Sequence, residues 1–205
     1  MSPLTRKTRD QLIAAWDVGA PPDWASLPLA SVDGPEGQAV LAALRDVAED
    51  LADGEEAQAR LTAFLVAVQP RLLEDQLLLL GVWVPDREAG DPLAVMKAEL
   101  LTDADRDGFE SLVHAADPPE GQERLHLETL RVDLPAGPAV LVDHQGVVDG
   151  TIEQYLQFVV FPDGTTDAIS LAFTTTSLHL LEEFAVATRD IAESLTVELG
   201  PGGGR

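Results

Sequence analysis

Residues 153–197 read EQYLQFVVFPDGTTDAISLAFTTTSLHLLEEFAVATRDIAESLTV. Two runs, 153–161 and 168–175, are rich in β-branched and aromatic residues, and Pro162-Asp163-Gly164 lies between them. Proline presets the turn and glycine takes the conformation other residues resist, so the pair reads as a hairpin. Strand side chains alternate. Tyr155, Gln157 and Val159 therefore share one face, and Leu156, Phe158 and Val160 the other. One face must be core, which leaves the other as a covered or a binding face. From residue 178 the period lengthens to that of a helix. Leu178, Leu181, Phe184, Ala185, Ile191 and Leu195 form one stripe, predicting a helix over 178–197 with Ser177 as its N-cap.

Working outward, 124–134 and 139–145 read as two further strands, and 93–102 as another. Residues 76–85, QLLLLGVWVP, form a continuous apolar run and read as a strand buried on both faces. Residues 103–116 read as a short helix with Phe109, Leu112 and Val113 inward. Upstream, 36–53 and 55–69 carry helical stripes separated by Gly54, and they read as an antiparallel helical hairpin. Pro70 is expected to stop the second helix, since it lacks an N–H and crowds the preceding turn. A short helix over 8–18 is expected from Leu12, Ile13 and Trp16. The stretch 20–35 reads as an irregular connector pinned by Trp24, Leu27 and Leu29. Most consecutive strands have no room for a crossover helix, so the sheet should be largely antiparallel. The expected fold class is α+β: about six strands packed by helices, with an N-terminal helical hairpin. The expected division is a helical segment at 1–75 packing on a sheet domain at 76–197 as one folded unit, followed by a disordered tail at 198–205 that ends in GPGGGR.

The 205 residues carry 36 acidic and 13 basic side chains, a formal charge of −23. That field repels nucleic-acid phosphates and anionic membranes, and it attracts basic partners. Cysteine is absent, which excludes disulfides and thiolate chemistry. The longest apolar run, 77–84, is too short to span a bilayer, and the apolar stretch after Arg6, Lys7 and Arg9 is too short for a signal-peptide core. A cytoplasmic location is expected.

Asp103-Ala104-Asp105-Arg106-Asp107-Gly108 matches the first half of a calcium loop, but position twelve is His114 where a bidentate Glu is needed. Helix capping by Thr102, Asp103 or Asp105 accounts for the acids better. His114, His126, His144 and His179 show no paired metal spacing, so no metal is expected. His144 sits between Asp143 and Asp149 in VDHQGVVDG and could serve as a general base, against the plainer reading of a solvated loop histidine. No GxSxG elbow, Walker A loop or GxGxxG turn is present, so no cofactor is expected, and Thr174, Thr175 and Thr176 read as strand formers. Trp24, Trp83, Tyr155, Phe158 and Phe161 could line a groove. The candidate binding residues are Trp83, Tyr155, Gln157, Asp143, His144 and Asp149.

The hairpin of residues 155–173, its continuation into Thr174-Thr175-Thr176-Ser177, and the closing helix with Phe184, Ile191 and Leu195 resemble the C-terminal half of the Mog1/PsbP-like group, which includes LpqN-type and DcrB-type proteins. The resemblance covers roughly residues 77–197. It implies binding rather than catalysis. The expected function is a non-enzymatic intracellular protein-binding module, an adaptor or secretion-type chaperone, whose partner is basic or amphipathic. The alternatives are an acidic immunity or inhibitor protein that masks a basic partner, and a hydrolase-like enzyme using Asp143, His144 and Asp149.

Overall fold

The computed structural model describes residues 11–74, 76–118 and 121–201. In chain order the elements are β1 (Gln11–Asp17), β2 (Trp24–Leu27), α1 (Gly37–Leu51), α2 (Glu55–Leu72), β3 (Leu77–Trp83), β4 (Ala94–Leu101), α3 (Arg106–Ala115), β5 (Gln122–Leu134), β6 (Gly137–Val148), β7 (Thr151–Val160), β8 (Ala168–Thr175), α4 (Leu181–Ser194) and β9 (Thr196–Pro201). Seven strands form one sheet in the order β2-β3-β4-β8-β7-β6-β5, and β1 pairs with β9 in a separate ribbon. Every ladder is antiparallel. The fold class is α+β, with the six expected strands all in the main sheet and β2 added at its edge.

Alternation sorts the sheet into two faces. On the core face Ala94, Met96 and Ala98 of β4, Ile169, Leu171 and Phe173 of β8, and Leu156, Phe158 and Val160 of β7 join Phe184, Ile191 and Leu195 from α4 and its C-cap. Ile13, Trp16 and Val197 of the ribbon pack onto the same cluster. Trp24 stacks on Trp83 with centroids 6.1 Å apart, and both rings belong to this cluster. On the second face Val40, Leu44, Leu61 and Leu65 of α1 and α2 share a cluster with Leu27, Leu80 and Val82.

Several local expectations change. Residues 11–17 are a strand, while 8–10 lie outside the described residues. A register shift between Ile13 and Ala15 inserts one extra residue, so Ile13 and Trp16 reach the same cluster despite their odd spacing. Part of the expected connector is β2, which pairs Trp24 with Trp83 and Leu27 with Leu80. Trp24 and Leu27 are buried, but Leu29 is exposed. Residues 28–30 are held instead by Gln69, whose amide donates to the Pro28 carbonyl at 2.8 Å and the Ala30 carbonyl at 2.7 Å. α2 nevertheless runs through Pro70 to Leu72, forgoing the bond an N–H at residue 70 would make to the Val66 carbonyl one turn earlier. β3 is buried on both faces only from Leu80 to Trp83, with Leu78 exposed. In α3, Phe109 meets Phe161 with centroids 6.4 Å apart, whereas Leu112, expected inward, is 71% exposed. The last helix ends at Ser194 and opens with a 3-10 turn at 178–180, and Ser177 makes no side-chain cap bond to it. Gly200 and Pro201 pair in β9 with Leu12 and Gln11 rather than forming a loose tail.

Candidate functional site

The α1–α2 pair covers only the β2–β3 side of the second face, and α3 covers the β5–β6 side. Arg131 of β5 holds α3 there, bonding Glu110 at 2.8 and 2.7 Å and Asp107 at 2.7 Å. The N-terminus of α3 is fixed by Asp105, whose carboxylate accepts from the Gly108 N–H at 2.8 Å. Of the three caps the sequence offered, Asp105 is the one that initiates the helix, while Asp107 lies in its first turn and bonds Arg131.

Between the two helical covers the sheet lies open. Ladder registers line up its residues in rows: Val95, Thr174, Tyr155, His144 and Leu127 form one, and Lys97, Ala172, Gln157, Val142 and Thr129 the next. Above them is a cleft of about 670 Å³. Phe64, Val68 and Leu72 of α2, spaced four apart, form its apolar wall. Lys97, Glu99, Tyr155, Gln157, Ser170 and Thr174 form its floor. A second hollow of about 430 Å³ continues to α3, walled by Val113 and Ala116 and sharing Tyr155 and Gln157 with the first.

The floor is polar and acidic. Lys97 pairs with Glu74. Gln157 donates to Ser170 Oγ at 2.8 Å. Among the described residues, Glu99 and Glu153 have no basic side chain within ion-pair distance. Burial pushes the Tyr155 phenol well above its ordinary range, with Glu99 and Glu74 adding to the shift, so at neutral pH it is a protonated donor. Burial also raises the Glu153 carboxyl, helped by Asp149. It lowers the His144 imidazole, helped by Arg124 and opposed by Asp143.

The candidate residues of the sequence separate accordingly. Tyr155, Gln157 and His144 come together on the open face. Trp83 does not: it is 2% exposed in the core, with its indole N–H donating to Asp23 at 2.7 Å. Trp24 and Phe158 lie in the same core cluster. His144 is not in a loop, because β6 runs to Val148. Asp143 precedes it in that strand and so faces the opposite side, where it accepts from Gln154 at 2.6 Å. Asp149 sits in the turn beyond, at φ 49°. An Asp143–His144–Asp149 catalytic trio is therefore not assembled. The hydroxyl–imidazole contact between His114 and Thr129, 2.9 Å long, is exposed at the α3–β5 contact. Sequence reasoning did not place Phe64, Val68, Leu72, Lys97, Glu99 or Glu153 at a site, and its reading of Phe64 and Val68 as inward with Leu61 and Leu65 is corrected, since both line the cleft. The signal for the first three was present, since α2 carries two apolar stripes and a helix lying against one sheet needs one.

Fold and cleft together define an α+β protein with a helix-flanked trough on one sheet face. No protein-family model matches the sequence, and no curated protein does. Among solved structures the chain is similar to LpqN of Mycobacterium tuberculosis, described as involved in cell envelope biogenesis, at 15% identity over 89% of this chain and 82% of that one, with a TM-score of 0.47. It is also similar to a cyanobacterial PsbP from Synechocystis, at 10% identity over 97% and 98% of the two chains, with a TM-score of 0.47.

Proposed function

We propose that this chain is a non-enzymatic, intracellular protein-binding module, an adaptor or secretion-type chaperone, that holds a basic or amphipathic partner in the cleft beside α2. The observation that carries the reading is the Phe64–Val68–Leu72 wall standing over a floor whose Glu99 and Glu153 lack cations among the described residues. Apolar surface shaped into a trough is what a partner buries, and unpaired carboxylates favour a partner that brings positive charge. The floor offers hydrogen-bond donors and acceptors in Tyr155, Gln157 and Thr174. It brings together no pair of hydroxyl and imidazole placed for attack among the described residues.

The test is affinity capture from the source cells with the wild-type chain and with a variant carrying Val68→Glu and Thr174→Trp. The wild type should recover one protein at a fixed ratio, and the variant should lose it. Identical recovery by both, or no partner at any salt concentration, refutes the reading.

A further inference from the structure

The helical layer over the open face has a gap one helix wide. α2 shares its buried cluster with β2 and β3, and α3 is tied to β5, while β8 and β7 lie between them in the sheet. Neighbouring strands sit about 4.8 Å apart, so the span from β4 to β6 is roughly 14 Å. A helix with its side chains is about 10–12 Å across. One helix fills such a gap; two do not fit. Along β7 the exposed floor runs from Glu153 to Gln157, about 13 Å or the length of roughly nine helical residues, before Val159 is buried.

Backbone chemistry also selects a helix. An extended segment laid on a sheet face leaves its own N–H and C=O groups without partners, because strands pair at sheet edges. A helix satisfies its own backbone and can set side chains against the ridge of Phe64, Val68 and Leu72, which recurs at the spacing helix packing uses. Charge then orients it. Lys97 is occupied by Glu74, whereas Glu99 and Glu153 face the cleft without a cation among the described residues.

We infer that the partner inserts a single amphipathic helix into the gap beside α2, its aliphatic side chains on Phe64, Val68 and Leu72 and its lysine or arginine side chains toward Glu99 and Glu153. This rests on the protein-binding reading above and specifies what is bound.

The experiment places the photo-cross-linker benzoylphenylalanine at Thr174 of the full chain in the source cells and maps the cross-linked residue in the captured protein. That segment is then synthesised and titrated into the full chain. The expected segment has apolar residues at helical spacing with basic residues on one flank. Its peptide gains helical circular dichroism on binding and binds roughly threefold to thirtyfold more weakly to the Glu99→Gln, Glu153→Gln double variant. A segment that binds without gaining helix, or whose affinity is unchanged in the double variant, overturns the inference and leaves the protein-binding reading standing. Cross-linking to a small amphiphile alone, or to no protein, overturns both.

Discussion

Phe64 and Leu65 are neighbours on α2, yet they should respond to truncation very differently. Leu65 is fully buried between helix and sheet, and Phe64 is 39% exposed on the cleft wall. Leu65→Ala removes packed methylenes and leaves a cavity, which costs about 3–5 kcal/mol. Full burial of a phenylalanine side chain stabilises by about 1.5–3 kcal/mol. With roughly six-tenths of Phe64 covered, its removal costs about 1–2 kcal/mol, and the better helix propensity of alanine returns about 0.5. Phe64→Ala should then lose about 0.5–1.5 kcal/mol. For a chain of this size each kcal/mol moves Tm by roughly 2–4 °C, so the shifts are about 6–20 °C for Leu65→Ala and about 1–6 °C for Phe64→Ala. Urea titration read by tryptophan fluorescence measures both, since Trp24 and Trp83 are buried reporters in the main sheet. Coincidence with far-ultraviolet circular dichroism checks that unfolding is two-state. Equal losses for the two variants would refute the reasoning, because Phe64 would then be core and the cleft would have no apolar wall.

Tyr155 is the only tyrosine, so absorbance at about 295 nm reads a single phenol. Its midpoint should lie above the ordinary value of about 10 and fall toward it in Glu99→Gln, with circular dichroism confirming that the fold persists. An ordinary midpoint in the wild type would show Tyr155 to be hydrated. Asp105→Ala should cost about 0.5–2 kcal/mol by releasing the Gly108 N–H, and Asp105→Asn should restore most of it; equal losses in thermal melts would place the effect elsewhere. The Arg131 guanidinium holds the Glu110 carboxyl below its usual range. A depressed carboxyl stabilises the fold above the unfolded pKa, and that contribution is lost as the pH falls through the folded value. Arg131→Ala should therefore lose more stability at neutral pH than in acid. A pH-independent loss in urea titrations would contradict the pairing.

Legibility followed periodicity. The runs that became β3 to β8 alternate or are continuously apolar, and each has at least one pairing partner close in sequence, so they could be read directly, although the β4–β8 pairing itself is long-range. Residues 11–17 could not. Their partner is about 185 residues away, and the bulge at Ala14 sets Ile13 and Trp16 three apart, a spacing indistinguishable from a helix. β2 failed for a related reason: four residues between prolines and glycines carry little pattern, and they are a strand because β3 offers an edge. In the site, alternation sorted Leu156, Phe158 and Val160 from Tyr155, Gln157 and Val159 but left open whether the second set was covered; Tyr155 and Gln157 line the cleft, whereas Val159 is buried. Alternation could equally have excluded Asp143 from acting with His144, because the expected strand 139–145 already contains both and successive residues point to opposite faces. The cleft wall escaped because it belongs to a helix whose second stripe acquires meaning only when the distance between α2 and α3 is known.

The ribbon of β1 and β9 brings Gln11 and Pro201 face to face at its open end. Pulling on those two residues loads the pairs one after another, like a zipper, because the hydrogen bonds of an antiparallel ladder lie perpendicular to the strands. Under tension the molecule should first shed this ribbon at low force, exposing Trp16 and Ile13, while the seven-stranded sheet stays intact.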